Sequence, residues 1–220
     1  MRDVLLFAGP TLHGLAPGLV EDAGVRLCPP VVRGDIDAAR EAGEPGVMVV
    51  CDGVFQRTPA VSHAELCRAL DAGWQVWGVS SIGAIRAHEL RAQGMRGFGD
   101  VHAMFARFED FTDDEVCLLH YPEPPWFPLS EPLVNLRHAL ERHGPALGIA
   151  PAAADAVLHE MRELWFGDRT TGSIRASMNH AGVAPTVADA LLARVRDDPV
   201  KQSDLKALLT LQPWRRPAAG

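Results

Sequence analysis

The stretch GVSSIGAIRAHEL, residues 78–90, decides how the chain is read, because an apolar run (74–79) gives way there to residues spaced as on a helix. Two serines, Ser80 and Ser81, fall on the junction. In an α/β protein this is the carboxyl end of a parallel strand, where the first amide N–H groups of the next helix have no partner inside it. Those donors can hold an oxyanion, a phosphate or a carboxylate. A serine at this point serves as a helix cap, a ligand contact or a nucleophile, and capping is the commonest role. Gly83 stands two residues after Ser81, as in the second half of the G-x-S-x-G nucleophile elbow, but Val79 occupies the place of the first glycine.

Working outward, short apolar runs at 4–8, 25–28, 47–51, 75–79 and 116–120 predict strands. Residues 36–42, 60–72, 82–93 and 101–108 repeat apolar side chains at helical spacing. The alternation predicts an α/β fold: a mostly parallel sheet flanked by helices. Residues 121–132 (YPEPPWFPLSEP) hold too many prolines for either element and read as a rigid connector. Beyond them only helices are expected, at 133–143, 152–165, 187–195 and 203–211. The expected organisation is an α/β core over 1–125, followed by a connector and an all-helical C-terminal extension, 126–220, packed on it.

The chain has 220 residues, 47% of them hydrophobic, and a formal charge of −7, which argues against non-specific binding to nucleic acid. No apolar run approaches the ~20 residues needed to span a membrane, and DVLLFA at 3–8 leaves no room for a signal peptide, so the cytoplasm is the expected compartment. Cys28, Cys51, Cys67 and Cys117 are scattered and read as free thiols. His138 with His143, and His159 with His180, lack the spacing of a helical zinc site, so no structural metal is expected. No cofactor is expected either.

Several polar groups follow the proposed strands, where open α/β sheets bind ligands. GPTLHG (9–14) would bring backbone N–H groups of Gly9 and its neighbours close to a ligand, though it lacks the lysine of a P-loop. Asp52 and Gly53 open the turn after the third strand, Asp52 either capping that turn or acting as a catalytic acid or base. His63, Arg86, His88 and Glu89 fall on helices flanking the same edge. Each alone reads more readily as a solvated or salt-bridged residue. Arg86 and Glu89 stand three apart and share a face. Arg86 is expected to turn toward the site, holding a carboxylate or organising the loop around Asp52.

The motifs GP (9–10), PPVVRGDI (29–36), VVCDGVFQRTPAVSHAEL (49–66), GVSSIGAIRAHEL, GMRGFGDVHAMF (94–105), TDDEVCLLH (112–120) and SEPLVNLRHAL (130–140) resemble, in order, those of the TfuA-like proteins, which accompany YcaO enzymes that make peptide backbone thioamides. The resemblance implies an accessory to a YcaO partner. It would release sulfide by hydrolysing a thiocarboxylate on a small ThiS-like sulfur carrier, and indirectly help the YcaO engage its precursor peptide. It also implies a Ser-Lys pair, with Ser81 the nucleophile and Ser80 in reserve. Gly9, Pro10, Arg33, Asp35, Gly53, Phe55, Gly83, Arg86 and Glu89 are the expected contacts to substrate or carrier.

Where typical members carry a lysine, this chain has Ala64, and its only lysines are Lys201 and Lys206. Three ways forward are open: His63 or another nearby group takes the proton, a C-terminal lysine folds back, or the hydrolase activity is lost. The alternative to an enzyme is a non-catalytic scaffold or activator of YcaO. A nucleotide-binding protein suits the first turn but has no fingerprint motif.

Overall fold

The computed structural model describes residues 3–54, 58–109 and 111–215. Five strands, β1 (Val4–Phe7), β2 (Arg26–Cys28), β3 (Val47–Val50), β4 (Gln75–Val79) and β5 (Arg96–Phe98), form one parallel sheet in the order β2-β1-β3-β4-β5. Between them run α1 (Leu19–Asp22), α2 (Asp35–Ala42), α3 (His63–Asp71) and α4 (Ile82–Glu89), and α5 (Asp100–Arg107) follows β5. The expected α/β fold is therefore the observed one. The strand expected at 116–120 is not formed: a 3-10 turn, Asp113–Val116, covers its start, and the Leu119 N–H bonds the Ser130 hydroxyl at 2.8 Å. The fifth strand is instead β5, which the apolar pattern did not mark because it reads Arg-Gly-Phe.

Apart from Gln75 at the start of β4, the inner strands are apolar because both faces of the sheet are covered. Leu5, Phe7, Met48, Val50 and Val76 face one layer, built from Ile36, Leu66, Ala69, Ile82 and Ala87 of α2, α3 and α4. A reciprocal capping box fixes the start of α3: Ser62 accepts from the Glu65 N–H, and Glu65 accepts from the Ser62 N–H at 2.6 Å.

Residues 112–200 form a second compact unit, with α6 (Leu133–His143), α7 (Pro151–Glu163), α8 (Thr171–His180) and α9 (Pro185–Asp197) around Leu136, Val157, Met161, Met178 and Leu191. Its interior also holds charge: Glu115, 1% exposed, accepts from Arg137 at 2.5 Å and Arg162 at 3.3 Å. Residues 121–132 fold back on themselves, with the Tyr121 N–H donating to the Phe127 carbonyl at 3.0 Å. Among the described residues no helix is long and apolar enough to cross a membrane.

The last helix, α10 (Val200–Leu211), returns to the sheet. Its Leu205, Leu208 and Leu209, together with Trp214, cover the second face, formed by Val4, Leu6, Val47, Val49, Cys51, Trp77 and Val79.

The tightest packing lies where α4 meets β3 and β4. A Cβ on Gly78 would sit 1.9 Å from the Gly83 carbonyl oxygen, and one on Gly83 would sit 1.7 Å from the Val50 carbonyl oxygen. Both obstacles are backbone, so no rotamer change relieves them. Gly83→Ala should lower the urea-unfolding free energy by about 3 kcal/mol or more. Gly43→Ala, which meets nothing within 4 Å, should stay within about 0.5 kcal/mol of the parent.

Candidate active site

Beyond Val79 the chain turns sharply. The Ser81 N–H donates to the Val79 carbonyl at 2.7 Å across Ser80, whose φ is 62°. That positive φ is uncommon for an L-residue with a side chain. Gly78, two residues before Ser80, and Gly83, two after Ser81, meet across this turn. The elbow is thus complete, with two serines between its glycines where the usual pattern has one, and Gly78 takes the part that Val79 does not.

Ser81 occupies the N-cap position of α4, yet its side chain makes no capping hydrogen bond. Its hydroxyl instead accepts from the Lys201 ammonium or amine nitrogen, Nζ, at 3.3 Å. Lys201 is the second residue of α10 and is 2% exposed; Ser81 is 4% exposed. The Ser80 hydroxyl donates to the backbone carbonyl of the same lysine at 2.7 Å. Two adjacent serines therefore hold the two ends of one residue, 121 and 120 positions away. Of the three ways open from the sequence, the structure shows the C-terminal lysine folding back, and the scarcity of lysines, Lys201 and Lys206 alone, was the available signal.

Asp52, fully buried, sits where the sheet order reverses, between the loops after β1 and β3. Its carboxylate accepts from the Gly9 N–H at 2.9 Å, the Thr11 N–H at 3.0 Å and the Thr11 hydroxyl at 2.7 Å. Both oxygens are thus engaged in joining the loop after β1 to the loop after β3. Pro10 begins the short 3-10 turn Pro10–Leu12 in that loop, and Gly53 lies against Ile82, where a Cβ would come within 3.0 Å. Cys51, wholly buried, lies beside this cluster, and its carbonyl accepts from the Gly83 N–H at 3.2 Å. Burial pushes the Cys51 thiol well up, the Asp52 charge adds to this, and Lys201, Thr11 and Ser80 act against it.

His63, Arg86 and Glu89 bind one another. Glu89 accepts from the Arg86 guanidinium at 2.6 Å and lies 2.7 Å from the His63 ring, and Arg86 also donates to the Val61 carbonyl at 3.1 Å. Burial alone would raise the Glu89 carboxyl, but the hydrogen bonds from His63 and Arg86 outweigh it and hold it below its ordinary value. Glu89 stands two turns along α4 from Ser81, about 12 Å of helix rise. Arg86 thus fastens the segment before α3. Asp35 accepts from the Val32 N–H at 2.9 Å within its own turn, Arg33 is exposed, and Phe55 lies outside the described residues. Ala64 lies on the exposed face of α3.

A family model described as TfuA-like protein matches residues 52–170, more than half of the chain. The chain belongs to the TfuA-like family. That family is associated with YcaO-dependent thioamidation. No curated protein matches the chain. The matched residues include Asp52, Ser80, Ser81, Arg86 and Glu89, whereas Gly9, Thr11 and Lys201 lie outside them. Among the described residues no group of three or more His, Cys, Asp or Glu is arranged to hold a metal ion.

The helix that carries Lys201 is also latched by Asp204, which sequence reading did not single out. Its carboxyl accepts from the Asp100 and Val101 N–H groups, each at 2.9 Å, and so caps α5. Burial pushes this carboxyl up to about 7, more than its two backbone donors pull it down. A carboxyl whose folded pKa is raised stabilises the fold while protonated, and that contribution is lost as pH rises from the ordinary carboxylate range through about 7. Unfolding free energy should accordingly fall across that window, by up to roughly 1.4 kcal/mol per pH unit. In Asp204→Asn, which stays neutral, denaturant titrations at a series of pH values should show a flatter profile.

Proposed function

We propose that the chain is a serine hydrolase of the Ser-Lys type, acting on the thiocarboxylate of a small ThiS-like sulfur carrier and supplying sulfide to a YcaO enzyme. The observation that carries this reading is the 3.3 Å contact between Lys201 Nζ and Ser81 Oγ at the head of α4. A serine hydroxyl is a weak nucleophile unless a base takes its proton, and a neutral amine does so. The hydroxyl that Lys201 touches is also free of capping duty.

In the reaction, Lys201 takes the Ser81 hydroxyl proton as Oγ attacks the thiocarboxylate carbon. The positive end of α4 faces the oxyanion that develops there. Collapse breaks the carbon–sulfur bond and releases sulfide, which leaves with the proton from Lys201, and the carrier's acyl group remains on Ser81. Water, deprotonated by the same amine, then cleaves the ester, returning the Ser81 hydroxyl and a carrier that ends in a carboxylate. Asp52 holds the wall of this site and is not needed as a base, since its two oxygens already bind Gly9 and Thr11.

A second reading, a non-catalytic activator of YcaO, is favoured by one observation: Ser81 and Lys201 are nearly closed to solvent, at 4% and 2% exposure. The two readings part on a single assay. Incubation with a thiocarboxylated ThiS-like carrier, followed by mass spectrometry for the carboxylate, should show turnover that Ser81→Ala abolishes and Lys201→Met lowers at least about 100-fold. Ser81→Ala should also stay folded, with its unfolding free energy lowered by about 1–3 kcal/mol, because the hydroxyl caps nothing but is a buried partner of the Lys201 nitrogen. Ala64→Lys should leave the rate unchanged, since position 64 lies on the outer face of α3. Equal turnover by Lys201→Met and the parent would contradict the Ser-Lys reading.

A further inference from the structure

The two serines of the elbow differ in what they touch. Ser81 meets the side-chain nitrogen of Lys201, whereas Ser80 meets its backbone carbonyl. We infer that Ser80 is not a spare nucleophile but a positioning residue, whose hydroxyl docks the first turn of α10 on the elbow so that Lys201 Nζ reaches Ser81. This deepens the hydrolase reading and rests on it.

Three features carry the inference. First, Ser80 is fully buried, and its hydroxyl donates at 2.7 Å, a full-strength bond between two hidden groups. Second, a carbonyl in the first turn of a helix finds an N–H donor four residues further along the same helix. The Ser80 bond is therefore additional to what α10 needs for itself, and its effect is to fix where α10 begins. Third, the backbone at Ser80 holds a φ of 62°, a region for which glycine is the default residue. A serine in that conformation, rather than a glycine, puts a hydroxyl on the Lys201 carbonyl.

Elsewhere on α10 the contacts are of other kinds. Leu205, Leu208 and Leu209 lie on the sheet through apolar contact, which is non-directional. Asp204 latches the helix to the start of α5, one turn further on. A displacement of about 1 Å in a proton-transfer pair lowers a rate by as much as 100-fold, so a directional bond on Lys201 itself matters to the rate.

The test exploits the chain's having only Lys201 and Lys206 as lysines. Protein labelled with carbon-13 at lysine Cε gives two side-chain signals, assigned with Lys206→Arg. In Ser80→Ala, and in Ser80→Gly, which relieves the positive φ and keeps a folded variant in hand, the Lys201 signal should move while the Lys206 signal stays. With a thiocarboxylated carrier, kcat should fall about 10- to 100-fold, KM should hold, and the trapped acyl group should remain on Ser81. A Lys201 signal unmoved in both variants overturns the proposal, as does an acyl group found on Ser80 of the parent. A parent that hydrolyses no thiocarboxylate would remove the hydrolase reading, and the Lys201 signal would then decide the positioning role alone.

Discussion

Backbone contact between β4 and α4 is the constraint on which the rest of the sheet unit depends. Gly78 lets the helix rest directly on β4, and Gly83 lets it rest on the end of β3, with the Gly83 N–H on the Cys51 carbonyl. With helix and strand pressed together, the two-residue connection has one geometry open to it, a turn with Ser80 at positive φ and Ser81 at the head of the helix. Any side chain at either glycine would lift α4 off the sheet and move both hydroxyls. The same approach fixes Ile82 against Gly53 and so the loop beginning with Asp52.

The second dependence is long-range. The face of the sheet formed by Leu6, Val49 and Val79 needs an apolar cover, and α10 supplies it from the end of the chain. Each fully buried leucine of that helix contributes about 1.5–3 kcal/mol relative to exposure, so the burial that completes the fold also delivers Lys201 to the elbow. The amine and the hydroxyl are then joined by neither sequence proximity nor a shared element. The helix that completes the apolar cover is also the one that places Lys201 beside Ser81.

How far this could be read from sequence follows from the range of each interaction. The inner strands announced themselves as apolar runs, and α6 as a helical stripe ending before Gly144, because both signals are local. β5 has three residues and a central glycine, and α8 opens on Thr-Gly-Ser behind a Thr170 cap, so neither gives enough pattern to read. Residues 116–120 carry strand-like composition, but Asp113–Val116 turn and Ser130 takes the next free N–H, a tertiary override of local preference. The elbow was visible because its serines and glycines are adjacent. The partner of Ser81 was not, since a contact across 120 residues leaves no periodicity. His63, chosen as a candidate base for its chemistry and nearness in sequence, pairs with Glu89 on exposed helix surface. A C-terminal lysine was one of the open candidates, but nothing local could choose Lys201 over Lys206, because the family motifs stop before both.

The central claim is that Ser81 is activated by Lys201, and reaction with a fluorophosphonate tests it most directly, since the reagent reports an activated serine without requiring the natural carrier. Intact-mass measurement followed by peptide mapping should find one adduct, on Ser81, formed by the parent and lost in Lys201→Met while that variant stays folded. An adduct that forms as fast in Lys201→Met, or that maps to a residue other than Ser81, would contradict the account.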